Sequence, residues 1–290
     1  MSPVADRSLG GQVAHQADRA WRGLRLAAAR VDPRERALPD FVVIGAQKAG
    51  TSSLYGQLSA HPSVVPAVRK EVHFFDRAPA PLAHYRAWFP RRAVLDRLTA
   101  RTGQGITGEA TPFYLCHPAV PARMRAVLPD VRLIAVLRDP VARAISGYHH
   151  AVRVGDETRP IEVALDPSAA EALASATDAP WYDAADCPLR LHGYLARGHY
   201  AEQLERWFAV YPREQVLVID SVTLRGGRVP ADVLAFLELP GASDAPVPDR
   251  NVGAYAAPAS DLEATLRDYF RPHDERLRAL LEVDWEWLSR

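Results

Sequence analysis

A strand, a small-residue turn and a helix N-terminus follow one another within residues 41–53, and this segment constrains the fold most. The apolar run 41–44 ends at Gly45, a short turn with one lysine follows, and Thr51 and Ser52 can open a helix. Free backbone N–H groups at such a junction, together with the helix dipole, favour an anionic group. The segment therefore predicts a site for a phosphorylated ligand.

The turn does not match the P-loop of nucleoside triphosphatases, in which a lysine immediately precedes the hydroxyl residue. Here Thr51 follows Gly50 directly, and Lys48 lies inside the turn. The strand is also not followed by the G-x-G-x-x-G pattern of dinucleotide-binding folds. A purely structural turn is the alternative interpretation of this segment when it is taken alone.

Composition narrows the class of protein. A chain of 290 residues suits one large α/β domain or two small ones. Basic and acidic residues both number 35, so the zero net charge argues against bulk attraction to nucleic acid or membranes, although a local basic pocket is compatible with it. Cys116 and Cys187 provide neither a disulfide framework nor a metal-binding spacing. Without a signal-peptide pattern or an apolar run of ~20 residues, we expect a cytoplasmic protein with no transmembrane segment.

Apolar runs alternate with helical segments, which predicts an α/β fold with a three-layer, doubly wound parallel sheet. The run at 131–137 is nearly continuous, as is typical of a strand buried on both faces. Asp139 can cap the following helix, and Pro140 suits its first position. Ligands of such sheets lie beyond the carboxyl ends of the strands. Further strands are expected at 41–45, 106–110 and 216–219.

The sequence predicts one domain with an N-terminal extension. Residues 1–39 are interpreted as a partly ordered extension and residues 40–290 as a single domain. The segment 155–190 is rich in Ala, Asp and Pro and has no regular pattern, which favours a mobile lid or insertion. A helix is expected over 191–210.

A second anion site is expected after the strand at 131–137. Arg138 leaves the end of this strand, and Ser146 lies about two turns into the next helix. A guanidinium group and a hydroxyl placed in this way could converge on a phosphate, so two neighbouring strand ends would hold two phosphates of one nucleotide. A surface arginine and a solvent-facing serine are the simpler interpretations of either residue alone.

Four short motifs occur in a fixed order along the chain: QKAGTS at 47–52, KEVHFFD at 70–76, GEATP at 108–112, and Arg138-Asp139-Pro140 followed by Arg143 and Ser146. In this order they resemble the sulfotransferases, in particular the heparan-sulfate N- and 3-O-sulfotransferase branch and its bacterial relatives. The resemblance covers roughly residues 40–283. It implies a P-loop-like sulfotransferase fold and 3′-phosphoadenosine 5′-phosphosulfate (PAPS) as the sulfuryl donor, with 3′-phosphoadenosine 5′-phosphate (PAP) as the product.

The resemblance also implies a role for each part of the donor site. Lys48 would reach the bridging oxygen and stabilise negative charge as the phosphate leaves. Arg138 and Ser146 would bind the 3′-phosphate, the group that distinguishes PAPS from ATP. The 5′-phosphosulfate would be held by the turn residues Lys48, Ala49, Gly50, Thr51 and Ser52.

On the acceptor side, the resemblance implies that Glu71 is the general base, and His73 is a candidate second contact to acceptor or sulfate. The two side chains would share a face if the segment is extended. Burial beside aromatic neighbours would raise the pKa of Glu71, whereas nearby lysines would lower it. A solvated charge for Glu71 and a structural histidine for His73 are the alternatives.

Glu109 is a secondary candidate for the acceptor site, and a buried, hydrogen-bonded carboxylate is the alternative interpretation. His149 and His150 have no partner at a metal-binding spacing. We expect no metal ion, because a sulfuryl group carries less negative charge than a phosphoryl group and a lysine with backbone donors can suffice. Where heparan-type relatives carry a basic clamp, this chain has only Arg250. That residue would be a reduced clamp on the 3′-phosphate, and loss of the contact is the alternative. The missing basic residues and the neutral net charge both put a long polyanionic acceptor in doubt.

The resulting hypothesis is a PAPS-dependent sulfotransferase. It would act by in-line transfer on a hydroxyl or amino group of a carbohydrate, glycolipid or glycosylated metabolite, and nucleic acid is not an expected partner. The alternatives are a P-loop-type nucleotide kinase and a non-catalytic nucleotide-binding protein. The loops that would select a small-molecule or glycan acceptor include 76–105 and 155–190. The sequence identifies neither the acceptor nor the oligomeric state.

Overall fold

Five parallel strands form one sheet in the order β2-β3-β1-β4-β5. The structure is a computed structural model that describes residues 35–175, 179–241 and 260–289. The strands are β1 (Phe41–Gly45), β2 (Val64–Pro66), β3 (Ile106–Ala110), β4 (Arg132–Leu137) and β5 (Val216–Asp220).

The central strands are buried on both faces, as their continuous apolar runs predicted. Every residue of β1 and β3 is buried, as are five of the six residues of β4. Because successive side chains of a strand point to opposite faces, helices must cover both sides of the sheet. In register, Val43 pairs with Ala110 on one side and with Ile134 on the other. The predicted doubly wound α/β architecture is confirmed.

Helices alternate with the strands and flank the sheet. Single 3₁₀ turns occur at Ala196–Gly198, Arg213–Gln215, Ser221–Leu224 and Glu286–Ser289. Within the described residues the α-helices are α1 (Thr51–Ser59), α2 (Leu82–Arg86), α3 (Arg92–Thr102), α4 (Val120–Val127), α5 (Pro140–Val154), α6 (Ile161–Ala164), α7 (Pro167–Ser175), α8 (Ala179–Asp183), α9 (Pro188–His192), α10 (Tyr200–Phe208), α11 (Ala231–Phe236) and α12 (Ser260–Leu281).

The region 155–210 differs from its sequence-based expectation. The segment at 155–190 contains the short helices α6 to α9 rather than irregular chain alone. The single helix expected over 191–210 is wrong, because α9 ends at His192 and α10 begins only at Tyr200. Between the two helices the chain turns inward, and the buried Arg197 donates its Nε–H to the Leu189 carbonyl of α9 at 2.8 Å.

The strand order places a crevice between β1 and β4. The connection after β1 leads to β2 at one edge of the sheet, whereas the connection after β4 leads to β5 at the other edge. Such a switch point is where open α/β sheets bind ligands. Arg138 Nη1 donates to the Lys48 carbonyl at 3.2 Å, so the two predicted anion-binding segments lie side by side there.

Two predicted segments fall partly or wholly outside the described residues. Of the predicted extension, residues 1–34 lie outside them, whereas Ala37 N donates to the Pro90 carbonyl at 3.0 Å and joins the domain. The proposed clamp residue Arg250 also lies outside them. Over the part of the chain that is described, no helix combines the length and apolar character needed to cross a bilayer.

Candidate functional site

The turn after β1 presents an uncapped helix N-terminus. Lys48 and Gly50 have positive φ angles of 69° and 100°, which turn the chain from the strand into α1. Gly50 is the N-cap residue of α1, and no side chain caps the helix. A β-carbon at Gly50 would lie 2.8 Å from Leu224 Cδ1 in addition to the strained φ, so this position requires glycine. The first-turn N–H groups of α1 are therefore available to an anion.

Cationic side chains gather around this turn, and three of them have no carboxylate partner among the described residues. Burial lowers the pKa of Lys48, and Arg153, Arg138 and Lys70 lower it further. Within the described residues, neither Lys48 nor Arg138 nor Arg153 forms an ion pair with a carboxylate. Partly desolvated like charges repel one another unless an anion joins them. The crevice is therefore built to receive a strongly anionic ligand.

Arg138 is held at the strand end by its backbone and its neighbour. Tyr200 donates its hydroxyl to the Arg138 carbonyl at 2.9 Å. Asp139 caps α5 as predicted, because its Oδ1 accepts from Val141 N at 3.0 Å. Arg267 binds both carboxylate oxygens of Asp139, at 2.9 and 2.7 Å. With Asp139 engaged in this way, no other carboxylate of the described residues pairs with the Arg138 guanidinium.

The other two α5 residues of the fourth motif have different environments. Arg143 is fully buried and donates to the Tyr194 carbonyl, so it has a structural role in packing α5. Ser146 is buried on the second turn of α5, and its hydroxyl makes no hydrogen bond within the described residues. The hydroxyl oxygen is not sealed from solvent, so it can make a hydrogen bond to a ligand bound at this strand end.

Glu71, His73 and Asp76 form a second polar group beside the turn. The predicted shared face of an extended segment is wrong, because Glu71 and His73 both have positive φ angles, 63° and 54°. Glu71 N donates to the Ala110 carbonyl at 2.9 Å and so fixes the segment to the end of β3. The side chains still meet, since His73 Nε2 lies 3.6 Å from Glu71 Oε2 and His73 Nδ1 lies 2.7 Å from Asp76 Oδ2.

The charges of this group are set by its internal contacts. Burial alone would raise the pKa of Glu71, but His73 and Lys70 outweigh it and hold that pKa at about 2. Burial likewise opposes the charged form of His73, yet Asp76 and Glu71 raise the pKa of the imidazole overall. The pKa of the buried Asp76 is lowered by His73 and Arg190 against the effect of burial. Two ionised carboxylates thus flank a histidine that favours its protonated form.

Two arginines that sequence reasoning missed connect the two halves of the site. Arg190 Nη2 donates to Asp76 Oδ2 at 3.1 Å, and Arg197 Nη1 donates to the Gln47 side-chain carbonyl. Their guanidinium groups lie 3.9 and 5.2 Å from the Phe113 ring centre. Asp76 belongs to the second motif. Its spacing of three residues from His73 is the sequence feature that could have identified it as part of the site. The arginines gave no such signal, because their partners lie more than 100 residues away in the chain.

A cleft of about 570 Å³ opens beside Glu71 and His73, and it is also lined by Val68, Arg69 and Lys70. Arg69 lies over the Trp88 ring at 4.8 Å, so this tryptophan packs at the rim of the cleft. The side chain of Glu71 is 46% exposed, which makes its carboxylate accessible from the cleft. A substrate could therefore reach this carboxylate without any rearrangement of the core.

Glu109 is a core carboxylate rather than an acceptor-site residue. It is fully buried and does not line the cleft. Its oxygens accept hydroxyl hydrogen bonds from Tyr85 at 2.8 Å, Thr111 at 2.6 Å and Tyr114 at 3.3 Å. Burial raises its pKa even though Thr111 and Tyr85 act in the opposite direction. The alternative interpretation, a hydrogen-bonded carboxylate inside the fold, is the one that the geometry supports.

We expect Glu109→Ala to lower the free energy of unfolding by about 3 kcal/mol, because it leaves three buried hydroxyls without an acceptor. Urea denaturation followed by circular dichroism measures this change. The matched control is Glu162→Ala on the exposed face of α6, which should change stability by less than about 0.5 kcal/mol. Wild-type stability of Glu109→Ala would contradict the structural role.

Comparisons with known proteins agree with the geometry. The family described as "sulfotransferase domain" matches residues 38–226. Human heparan sulfate glucosamine 3-O-sulfotransferase 3A1 is 34% identical over 202 residues, which are 67% of this chain and 42% of that protein. Membrane-associated sulfotransferase kil1 of Dictyostelium discoideum is 25% identical over 319 residues, covering 86% and 66% respectively. The chain thus spans less than two thirds of the length of either curated relative.

One solved structure is similar over its whole length. The crystal structure of a sulfotransferase from Alicyclobacillus acidocaldarius is 32% identical in sequence and superposes with a TM-score of 0.61. The match covers 88% of this chain and 100% of that chain.

Proposed function

The chain belongs to the sulfotransferase domain family, and from this membership we propose that it transfers the sulfuryl group of PAPS to a hydroxyl or amino group of a carbohydrate, glycolipid or glycosylated metabolite. One observation carries the proposal. An anion-binding crevice adjoins an accessible carboxylate at Glu71, and its cations Lys48 and Arg138 have no carboxylate partner in the described part of the chain. Such an arrangement suits two substrates: a donor that carries several negative charges, and an acceptor that must lose a proton.

The donor side follows from the contacts of the crevice. The uncapped N-terminus of α1 and the Lys48 ammonium would bind the 5′-phosphosulfate, since both favour negative charge. Arg138 and the unpartnered hydroxyl of Ser146 would bind the 3′-phosphate. Lys48 would also stabilise the charge that develops on the bridging oxygen during transfer. The contribution of Arg250 stays a prediction.

The acceptor side relies on Glu71 as the base. In an in-line transfer the acceptor attacks sulfur from the side opposite the leaving phosphate, and its proton passes to the Glu71 carboxylate. A pKa of about 2 makes this carboxylate a weak base. A weak base is sufficient here, because the acceptor oxygen becomes strongly acidic as its bond to sulfur forms. His73, held by Asp76, keeps the Glu71 carboxylate ionised and directed.

Nucleotide binding separates this proposal from a nucleotide kinase and from a non-catalytic binding protein. We expect PAP to bind in isothermal titration calorimetry without Mg²⁺, and ATP to bind weakly with or without it. Incubation with [³⁵S]PAPS and extracts of the source organism should then label an acceptor that mass spectrometry identifies. Tight Mg²⁺-dependent binding of ATP would contradict the proposal and favour a kinase. Binding of PAP with no transfer to any acceptor would favour the non-catalytic alternative.

We expect Arg138→Ala to weaken PAP binding by about 10–100-fold and Ser146→Ala by about 3–10-fold, because each removes a hydrogen bond to a charged group. The affinity for 5′-AMP, which has no 3′-phosphate, should change by less than about threefold in both variants. Calorimetry with the two nucleotides measures the difference. Arg271→Ala, at an exposed position of α12, is the matched control. An equal loss of affinity for both nucleotides would place these side chains away from the 3′-phosphate.

We expect Asp76→Asn to lower kcat by about 10–100-fold without changing PAP affinity, because Asp76 positions His73 and raises the pKa of its imidazole. Without that carboxylate the His73 pKa falls, so His73 loses its proton at a lower pH than in the wild type. The alkaline limb of the kcat–pH profile should therefore shift to lower pH. A reduced kcat with an unshifted profile would indicate only a local structural defect.

A further inference from the structure

Three potential metal ligands meet behind the nucleotide site. Glu171 lies on α7, His199 immediately precedes α10, and His273 lies on α12. One ligand atom from each lies within 4.8 Å of the others. We propose that these three side chains form a binding site for a transition-metal ion of the Zn²⁺ type. This inference is independent of the proposed sulfotransferase activity, since no member of the group contacts Lys48 or Glu71 among the described residues.

The ligand atoms are close enough for a small ion once one imidazole ring turns. The His199 and His273 rings stack at 3.9 Å with an interplanar angle of 10°, so their in-plane lone pairs run side by side, and an ion shared by both requires one ring to rotate. His273 Nε2 lies 3.9 Å from Glu171 Oε1. Tetrahedral zinc with bonds of about 2.0–2.2 Å needs ligand atoms roughly 3.4 Å apart. The Glu171 side chain is 59% exposed and can rotate, so it can close the remaining gap. A water molecule would complete the coordination.

A second carboxylate orients one of the ligands. His273 Nδ1 lies 3.2 Å from Glu202 Oε1, and Arg276 Nη1 holds the same oxygen at 3.2 Å. When Nδ1 carries the proton for this hydrogen bond, the Nε2 lone pair faces the Glu171 carboxylate. A lone pair and a carboxylate repel each other unless a cation lies between them. Metal-bound histidines are commonly oriented by a carboxylate in this way.

A metal ion at this site would displace the protons of hydrogen bonds that the Tyr269 hydroxyl makes. This hydroxyl lies 2.6 Å from His199 Nε2 and also hydrogen-bonds Glu171. Without metal, protons shared among these groups hold α7 and α12 against the residue that precedes α10. A divalent ion would replace those protons and join the same three elements by coordination bonds. Two imidazoles and one carboxylate favour Zn²⁺, Co²⁺ or Ni²⁺ over Mg²⁺ and Ca²⁺, which prefer oxygen ligands.

The position of the site gives it a structural consequence. His199 follows Arg197, which binds Gln47, and precedes Tyr200, which binds the Arg138 carbonyl. An ion at His199 would therefore restrain the turn that supports both anion-binding segments. The sequence predicted no metal ion, and the proposed site departs from that prediction. Its expected effect is on stability.

Metal titration of the chelator-treated full chain tests the inference. We expect Co²⁺ to bind at a 1:1 ratio with the visible absorption bands of a four-coordinate site, and Zn²⁺ to displace it. Saturating Zn²⁺ should raise Tm by about 5 °C, whereas Mg²⁺ should have neither effect. Absence of stoichiometric Co²⁺ and Zn²⁺ binding at micromolar concentrations would overturn the inference.

Variants identify the ligands. We expect His273→Ala and Glu171→Gln each to weaken Co²⁺ binding by at least about 10-fold and to abolish the Zn²⁺-dependent rise in Tm. Glu171→Gln changes an exposed side chain, so its fold should persist even if His273→Ala is unstable. The matched control is His84→Ala, a partly exposed histidine on α2. Equal affinity in Glu171→Gln and the wild type would show that any bound ion lies elsewhere.

Discussion

Glu71→Gln is expected to lower kcat of sulfuryl transfer by about 10²–10⁴-fold while the affinity for PAP changes by less than about threefold. Glutamine has nearly the same shape, but its amide cannot accept the acceptor's proton. Because Glu71 lies in the open cleft and not in the uncapped turn of α1, its replacement leaves the donor contacts in place. The loss should therefore appear in the chemical step alone.

Single-turnover transfer from [³⁵S]PAPS to the identified acceptor measures this step, and calorimetry with PAP measures binding. Glu162→Gln, an exposed glutamate on α6, is the matched control and should behave as the wild type. Near-normal turnover of Glu71→Gln would contradict the assignment of the base. A parallel loss of PAP affinity would instead indicate that the substitution disturbs the donor site, for example by releasing Lys70 from its ion pair with Glu71.

The electrostatic setting of Glu71 sharpens this expectation. Burial raises its pKa, yet His73 and Lys70 together hold it at about 2, so the carboxylate is ionised at any pH at which the protein would be assayed. An acid limb of the kcat–pH profile near neutral pH cannot then come from Glu71. Any ionisation that changes the rate near pH 7 is more simply assigned to His73, whose pKa is raised by Asp76 and Glu71.

The parts of the fold and site that the sequence predicted are those set by local pattern. The buried strands β1 and β4 follow from continuous apolar runs, and the α1 N-terminus follows from a glycine before two hydroxyl residues. Asp139 caps α5 as its position before Pro140 predicted. Parallel strand order then brings Lys48 and Arg138 together, as expected from their positions at strand ends.

The parts that the sequence could not predict depend on distant contacts. The segment around Glu71 is not extended, because its backbone is fixed to the end of β3. Its positive φ angles place His73 between the carboxylates of Glu71 and Asp76. The interruption between α9 and α10 depends on Arg197, whose acceptors include Gln47, 150 residues away. Such pairings are decided by tertiary packing, which overrides local propensity.

Glu109 shows that a carboxylate in a family motif need not take part in the reaction. A carboxylate inside a motif can line the cleft or support it, and only burial distinguishes the two. The three hydroxyls around Glu109 come from Tyr85, Thr111 and Tyr114, and only Thr111 belongs to the motif at 108–112. The core position was therefore one of two open interpretations before the structure was known.

Lys48→Met is expected to lower kcat by about 10²–10³-fold, because the ammonium stabilises charge that develops on the bridging oxygen as the S–O bond breaks. Lys48 has no carboxylate partner among the described residues, and burial together with Arg153 and Arg138 lowers its pKa. An anionic donor would offset the burial and the like-charge repulsion that destabilise the charged form of Lys48. The benefit is greatest where negative charge is greatest, on the departing 5′-phosphate.

Binding of PAP and of PAPS separates charge stabilisation in the transition state from simple anchoring of the donor. PAP carries the full charge of the leaving group on its 5′-phosphate, whereas PAPS carries less at that oxygen. Lys48→Met should therefore weaken PAP binding by about 10-fold and PAPS binding, measured without acceptor, by less than about threefold. Lys48→Arg should recover part of the rate because it keeps the charge, and Arg92→Gln on the exposed face of α3 is the matched control. Equal weakening of both nucleotides with an unchanged kcat would mean that Lys48 only anchors the donor. The developing charge would then depend on the N–H groups at the N-terminus of α1.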